Sequence, residues 1–127
     1  SNAFIPMMSK GSSILNISSN LGLRALDNTA AYCAAKAGVI NLTRSMAIDL
    51  AERIRVNCIC PGIVETPMIT DRIDKDSIEY NDLSQIPALK RLGRPEEIAS
   101  MALHLCSSDA EWTTGSIITI DGGQTAD

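Results

Sequence analysis

The segment RIRVNCICPG, residues 53–62, is the most strand-like part of the chain. It alternates with period two, contains β-branched residues, and stops sharply at Pro61 and Gly62. The alternation places the thiols of Cys58 and Cys60 on one face. We therefore predict a strand up to the proline, and the remaining elements are predicted from the segments on either side.

Three segments are predicted before this strand: a strand, a loop and a helix. Residues 12–18, SSILNIS, form a short apolar run after Gly11, which is typical of a buried strand. Residues 20–29 are rich in turn formers and predict a loop. From Thr29 to about Leu50 there is no proline and one glycine, so we predict a long amphipathic helix. Apolar residues recur there at helical spacing, at Val39, Leu42, Met46 and Leu50.

Three elements are predicted after it. Residues 65–91 are polar and too long for a passive connection, which favours a lid or binding loop. Pro95 suits a first helical position, and the acidic residues after it oppose the helix dipole favourably. The inner stripe of that helix consists of Ile98, Ala102 and Leu105. Residues 115–123, GSIITIDGG, predict a strand that ends in a turn. This order predicts an α/β fold with parallel strands and right-handed crossovers.

Composition narrows the class of protein. The 127 residues, 45% of them hydrophobic, suffice for one globular domain over residues 1–127. A net charge of −4 without a basic run argues against nucleic acid as a partner, and no segment reaches transmembrane length. The cysteines lack the spacings of a metal or redox site, so we expect no metal and predict buried, reduced thiols in a cytoplasmic protein. They are Cys33, Cys58, Cys60 and Cys106.

The motif YCAAK brings two chemically useful side chains together. Tyr32 and Lys36 are four residues apart, so on a helix they lie on the same face. A phenol has a pKa of about 10, and a nearby ammonium lowers it, which makes a usable proton donor near neutral pH. The alternative is that Tyr32 packs against the strand layer and Lys36 extends to solvent.

Polar groups are expected at the carboxyl ends of two strands. Ser19 follows the first predicted strand, and the segment from Pro61 to Thr66 follows the second. Ligands of open α/β sheets bind outside these ends, where Ser19 could bond the substrate oxygen that Tyr32 protonates. The alternatives are ordinary loop, cap and turn roles, and Ser18 is assigned only such a role.

Together these segments resemble the short-chain dehydrogenase/reductase family. The resemblance rests on ILNISSNLG, YCAAK, RVNCICPGIVETPM, LGRPEEIA and TGSIITIDGG. It extends from about Gly11 to Gly123, nearly the whole chain. The order and spacing of the five motifs are far more specific than any one of them.

The resemblance implies a role for each matched position. Tyr32 matches the general acid/base of the family, Lys36 the residue that lowers its pKa and bonds the nicotinamide ribose, and Ser19 the hydroxyl that positions the substrate. The segment lining the nicotinamide matches Pro61, Gly62, Val64 and Thr66. Residues 67–90 match the mobile substrate loop. The implied reaction is hydride transfer between C4 of NAD or NADP and a carbonyl carbon, with Tyr32 moving the proton on oxygen.

The family pattern is incomplete at its amino-terminal side. No glycine-rich phosphate loop or ribose selector occurs here, so the adenosine and pyrophosphate site is absent and NAD cannot be distinguished from NADP. The chain looks like the C-terminal part of a doubly wound, Rossmann-like sheet, and FIPMM near its start reads as the end of a helix. Residues 1–3 could be the scar of a cleaved tag or native sequence. An exposed strand edge near Ser12 predicts a homo-oligomer or a rearranged fold.

Two functional hypotheses follow. The first is a fragment of an oxidoreductase that acts on a small carbonyl or secondary alcohol and has little activity alone. The second is a short, non-catalytic relative that acts as an oligomerisation or interaction module. Retention of Ser19, Tyr32 and Lys36 favours the first. The substrate class stays open among a 3-oxoacyl thioester, a steroid, a sugar and a simple ketone. Epimerases and dehydratases of related folds also use a Tyr-Lys pair, but the segments PGIVETPM and IDGG resemble the dehydrogenases more closely.

Overall fold

A three-stranded parallel sheet forms the centre of the computed structural model, which describes residues 3–126. Its strands, adjacent in chain order, are β1 (Ser12–Ile17), β2 (Ile54–Pro61) and β3 (Ile117–Ile120). Ser12 lies opposite Ile54, and Cys58 lies opposite Ile117. The predicted α/β class with parallel strands is confirmed, and RIRVNCICP supplies the central strand.

Helices make both crossovers between the strands. They are α1 (Ala30–Leu50) between β1 and β2, and α2 (Pro67–Thr70), α3 (Ile78–Gln85) and α4 (Pro95–Cys106) between β2 and β3. The 3-10 turns are Ile5–Met7, Asn20–Gly22 and Ser108–Ala110. The segment FIPMM therefore carries a 3-10 turn rather than the end of an α-helix. Pro95 is the first residue of α4, as predicted. The predicted long loop contains two short helices.

The core lies on both faces of β2. On one side, α1 packs Ile40 against Cys58 and Cys60. On the other, Leu105 of α4 packs with Ile59. A central parallel strand covered on both faces needs a nearly continuous apolar sequence, and residues 58–61 in the second half of β2 supply one.

The apolar face predicted for the amphipathic helix α1 is wrong at Leu42. That side chain is 53% exposed, whereas Val39 and Leu50 are partly covered and Met46 is buried. The residues of α1 that are fully buried are Ile40, Thr43, Met46 and Ala47. At roughly 100° per residue, Leu42 lies to one side of this buried face. Helical spacing alone therefore did not determine which apolar residues of α1 contact the sheet.

Two polar side chains fasten the first half of β2, and we call Arg55 and Asn57 the β2 clamp. Arg55 donates to the carbonyls of Leu105 (2.8 Å) and Ser107 (3.0 Å) at the end of α4. Asn57, fully buried, donates to the Thr113 carbonyl (2.8 Å) and accepts the N–H of Ser116 (3.1 Å). These residues tie β2 to the segment between α4 and β3.

The start of α4 is held by charged groups. The Glu97 carboxylate accepts two hydrogen bonds from Arg91, at 2.6 and 2.9 Å, and the backbone N–H of Arg94 at 2.8 Å. The bonds from Arg91, followed by that from the Arg94 backbone, lower the pKa of Glu97 to about 2. The carboxylate also closes the first turn of the helix as a capping group.

The four cysteines are free thiols in different environments. Cys58 and Cys60 are buried on one face of β2, as predicted, whereas Cys33 is half-buried and Cys106 is exposed. A hydrogen bond with Cys58, together with burial, raises the pKa of the Cys60 thiol. The prediction of buried thiols is therefore wrong for Cys106, which lies at the outer side of the last turn of α4.

Other expectations concern the edges of the molecule. β1 has β2 as its only sheet neighbour among residues 3–126, so one of its edges is unpaired there. The predicted homo-oligomer stays a prediction. No helix in the described part of the chain has the length and apolar character needed to cross a membrane. Of the proposed tag residues, 1 and 2 lie outside the described residues.

Candidate functional site

The carboxyl ends of the three strands meet at one edge of the sheet, as parallel strands require. Ser18 and Ser19 follow β1, Pro61 and Gly62 close β2, and Asp121 follows β3. The Ser18 N–H donates to the carbonyl of Ile59 in β2 at 2.8 Å. The structure therefore places the predicted groups from the first two strands at the same edge, where ligands of open α/β sheets bind.

Tyr32 and Lys36 lie in the first two turns of α1, beside this edge. Lys36 Nζ is 5.6 Å from the centroid of the Tyr32 ring and donates to the Ile17 carbonyl at 3.3 Å. Tyr32 is 48% exposed, so its ring is not packed within the core. No hydrogen bond of its hydroxyl is found within residues 3–126. The geometry leaves this phenol free to meet a ligand, with a cation close by.

A short loop connects Ser19 to the same part of α1. Ser18 is buried, and its hydroxyl donates to the Lys36 carbonyl at 2.8 Å. Gly22 lies so close to the helix that an added Cβ would be 2.9 Å from the Lys36 carbonyl carbon. A side chain at position 22 would therefore push the loop away. Sequence reasoning gave Ser18 only a loop or cap role and missed its hydrogen bond to the Lys36 carbonyl.

Ser19 itself is 8% exposed and already makes contacts within its loop. Its side-chain oxygen accepts the N–H of Leu21 at 3.2 Å, which caps the Asn20–Gly22 turn. Its hydroxyl donates to Asn20 Oδ1 over 3.4 Å. That contact is long for an O–H donor, whose usual distance is about 2.7–2.8 Å. The cap role foreseen as the alternative is therefore present, and the hydroxyl proton is only weakly held.

The segment after β2 forms a half-buried strip of backbone. The Gly62 N–H donates to the Ile120 carbonyl at 3.0 Å, and Val64 bridges to Gly93. A Cβ at Gly62 would lie 2.7 and 2.8 Å from atoms of Asp121, so only glycine fits this approach. Thr66 precedes α2, and its side chain does not cap that helix. The Thr66 hydroxyl is thus not committed to the helix start.

The predicted substrate loop is fastened at both ends. Near its start, Glu65 pairs with Lys75, and the hydrogen bond from Lys75 is the main cause that lowers the pKa of Glu65. Near its end, the Leu89 N–H donates to the Gly122 carbonyl at 3.0 Å. The loop therefore has defined anchor points on the carboxyl edges of β2 and β3.

Gln124 is a further residue of this edge that sequence reasoning missed. Its side chain accepts a hydrogen bond from Asn20 Nδ2 at 2.9 Å, and its carbonyl accepts one from Arg24 at 2.8 Å. Asn20 is 104 positions away along the chain. No local pattern signals such a pairing.

A small cavity of about 110 Å³ lies between the end of the substrate loop and β3. Its walls include Ile63, Leu89, Arg91 and Ile120. Neither Ser19 nor Tyr32 lines it. Tyr32 therefore lies on the exposed surface beside the carboxyl edge of the sheet and not inside this cavity. Among residues 3–126 no group of three metal-ligating side chains is clustered.

The parallel sheet, its crossover helices and the polar groups at its carboxyl edge define a Rossmann-like α/β protein. A sequence profile described as enoyl-(acyl carrier protein) reductase matches residues 1–125. The chain belongs to the short-chain dehydrogenase/reductase family.

Individual relatives agree with this assignment. The chain is 44% identical over 122 residues to the 3-oxoacyl-[acyl-carrier-protein] reductase FabG of Thermotoga maritima, covering 94% of this chain and 48% of the relative. It is similar to a short chain dehydrogenase family protein from Francisella tularensis, with a TM-score of 0.92, 32% identity, and coverage of 99% and 56%.

A second similar structure contains a nucleotide. It is a blue fluorescent protein from a metagenomic library, solved in complex with NADPH, with a TM-score of 0.87, 30% identity, and coverage of 98% and 49%. The chain thus spans about half the length of the relatives it matches. Its three strands keep the arrangement of these relatives, so the rearranged fold left open by the sequence is not observed.

Proposed function

We propose that the protein acts as an NAD(P)-dependent oxidoreductase that moves hydride between a nicotinamide nucleotide and a carbonyl or secondary alcohol. The observation that carries the proposal is the exposed Tyr32 phenol, which lacks a partner among the described residues and has Lys36 Nζ 5.6 Å from its ring. A phenol beside a fixed cation, at a ligand-binding edge, is a suitable general acid/base.

The donor set of this edge fits a nicotinamide nucleotide. Lys36 offers an ammonium for ribose hydroxyls, and Thr66 offers a hydroxyl that does not cap its helix. Pro61, Gly62 and Val64 supply half-buried backbone against which a flat ring can lie. When bound, the nucleotide supplies or accepts the hydride. The NADPH held by a similar structure supports this choice of cofactor, and either NAD or NADP is compatible with the residues here.

The protein's own residues handle the proton. Tyr32 gives its phenolic proton to a carbonyl oxygen during reduction, or takes the alcohol proton during oxidation. The ammonium of Lys36 stabilises the negative charge on the phenol oxygen. Ser19 offers its weakly held hydroxyl proton to the same substrate oxygen and fixes the position of that oxygen.

The substrate, the compartment and the assembly belong to the same proposal. The similarity to a 3-oxoacyl-[acyl-carrier-protein] reductase makes a 3-oxoacyl thioester the first substrate to test.

The four free thiols favour a reducing compartment, the cytoplasm. The edge of β1 that has no strand partner among residues 3–126 favours a homo-oligomer. The same edge is the observation behind the second candidate, a non-catalytic module that acts by association.

The test combines binding with turnover. NADH and then NADPH are titrated by calorimetry into the chain and into Tyr32→Phe and Lys36→Ala variants. A panel of 3-oxoacyl thioesters, ketones and sugars is then screened for oxidation of the reduced nucleotide. We expect saturable binding that Lys36→Ala weakens. We expect turnover that Tyr32→Phe lowers about 100-fold or more, at unchanged thermal stability.

Lys10→Ala is the matched control for the lysine variant. Lys10 is exposed and lies just before β1, at the opposite end of the strands from Tyr32. It should therefore bind nucleotide as the unmodified chain does. Absence of binding up to millimolar nucleotide would refute the oxidoreductase proposal for this chain and favour the association module.

A further inference from the structure

The turn after β3, residues 121–125, is internally fixed. One oxygen of the Asp121 carboxylate accepts the Gly123 N–H at 3.0 Å, and the other accepts the Thr125 hydroxyl at 2.7 Å. Gly122 and Gly123 both have positive φ, of 63° and 82°, which glycine adopts without strain. The turn therefore presents its side chains in a defined direction.

Gln124 projects from this turn toward the loop that carries Ser19. Gln124 Oε1 accepts from Asn20 Nδ2 at 2.9 Å, and Asn20 Oδ1 accepts from the Ser19 hydroxyl at 3.4 Å. Asn20 is only 4% exposed, so water has little access to satisfy its amide. The result is a short chain of hydrogen bonds that begins at the turn and ends at the proposed substrate-binding hydroxyl.

The direction of each bond in this chain depends on the one before it. An asparagine amide has one acceptor and two donors, and turning it over exchanges the atom that faces each neighbour. With Gln124 Oε1 facing Asn20, a reversed Asn20 would set two carbonyl oxygens against each other. Leaving buried polar atoms unpaired is costly, so the acceptor on Gln124 selects the Asn20 orientation that directs Oδ1 at Ser19.

We propose that Gln124, acting through Asn20, is a positioning residue for the Ser19 hydroxyl. Its influence on catalysis rests on the proposed function, in which Ser19 holds the substrate oxygen. The Ser19 oxygen receives the Leu21 N–H on one lone pair and keeps its proton on the side of Asn20. Because that contact is long, a substrate oxygen that enters on the side of Asn20 can share the proton while Asn20 keeps the hydroxyl directed there.

Contacts around Gln124 hold the residue in place. The Gln124 carbonyl is held by Arg24 at 2.8 Å. The Gln124 side-chain oxygen also lies 3.1 Å from where a Cβ on Gly62 would be, so it packs against the strip that follows β2. The residue is therefore fixed from both its backbone and its side chain.

Side-chain amide exchange tests the chain of hydrogen bonds without any ligand. The Asn20 amide protons are followed by NMR in the unmodified chain, in Gln124→Met and in Gln124→Glu. Methionine removes the acceptor at nearly equal size, whereas glutamate keeps an acceptor there. We expect exchange roughly tenfold faster in Gln124→Met and near the original rate in Gln124→Glu. The exposed Asn41 amide is the internal reference. Equal Asn20 exchange in the unmodified chain and in Gln124→Met would overturn the proposal.

A double-mutant cycle tests whether Gln124 acts through Ser19. Gln124→Met should lower kcat by about 5- to 30-fold, leave nucleotide affinity unchanged, and be largely rescued in Gln124→Glu. In a Ser19→Ala background the same change should have no further effect, because the hydroxyl to be positioned is gone. Additive losses would overturn the proposal. If the unmodified chain shows no turnover, the proposed function fails, and the amide exchange alone decides the role of Gln124.

Discussion

In the first half of β2, Arg55 and Asn57 are bonded to the backbone of the α4–β3 connection, whereas at the carboxyl edge the Tyr32 hydroxyl has no partner among the described residues. Ser19 lies between these extremes, since its proton is held only over 3.4 Å. Both regions contain polar side chains. They differ in how many of the hydrogen-bonding groups of those side chains have partners within the protein.

The difference separates residues that hold the fold from residues available to a ligand. A buried amide such as Asn57 costs free energy unless every group is paired, so its loss affects stability directly. An exposed phenol costs little when unpaired, because water satisfies it. Substitutions in the two regions should therefore change different measurements.

The largest effect on stability is expected from Asn57→Leu in the β2 clamp. The change removes two hydrogen bonds, leaves the Ser116 N–H unpaired, and leaves the Thr113 carbonyl with only the long 3.4 Å contact from Arg55. We expect a loss of about 2–4 kcal/mol in the free energy of unfolding, measured by urea denaturation. Asn41→Ala, on the exposed face of α1, is the control and should change stability little. A loss below that of the control would show that the clamp does not stabilise the fold.

An intermediate effect is expected from Gly62→Ala at the carboxyl edge. The added methyl would meet Asp121 atoms at 2.7 and 2.8 Å, so β2 and the turn after β3 must separate. We expect destabilisation by about 1–3 kcal/mol, with weaker nucleotide binding in calorimetry. Gly38→Ala is the matched control, since a Cβ there meets nothing within 4 Å. That change in α1 should stabilise by about 0.5–1 kcal/mol. Equal effects of the two substitutions would contradict the close approach at Gly62.

The smallest effect concerns the charged pair near the carboxyl edge. The pKa of Glu97 is lowered to about 2 from 4.5, so its stabilising effect is complete above pH 4.5 and is lost as the pH falls toward 2. The melting temperatures of the unmodified chain and of Glu97→Gln should therefore differ above pH 4.5 and converge near pH 2. A difference that stays constant over this range would exclude the carboxylate charge as its cause.

Local signals predicted much of the fold. The proline at position 95, with the acidic residues after it, predicted the start of α4. The alternation in RIRVNCIC predicted the central strand and placed the thiols of Cys58 and Cys60 on one of its faces. These features depend on neighbours in sequence. The error at Leu42 arose because several apolar residues of α1 lie near the edge of the buried face, and only packing against the sheet decides which are covered.

The site was predictable only where it depends on short spacing. The approach of Lys36 to Tyr32 follows from their separation by one helical turn. The bond between Asn20 and Gln124 joins residues 104 positions apart, and the bond from Ser18 to the Lys36 carbonyl depends on how the loop settles on α1. Composition and periodicity contain no information on such contacts, because they are formed only when the strands and crossovers are in place.

The central position of β2 also constrains how the chain can fold. Neither of its neighbours is joined to it by a hairpin: β1 precedes it across α1, and β3 follows it across three helices. Such non-local pairing is slow, whereas α1 can form early from local contacts. During synthesis, one edge of β2 stays open until residue 120 has left the ribosome. In that interval its apolar sequence is exposed to other chains, so the folding yield should depend on chaperones and on the rate of translation.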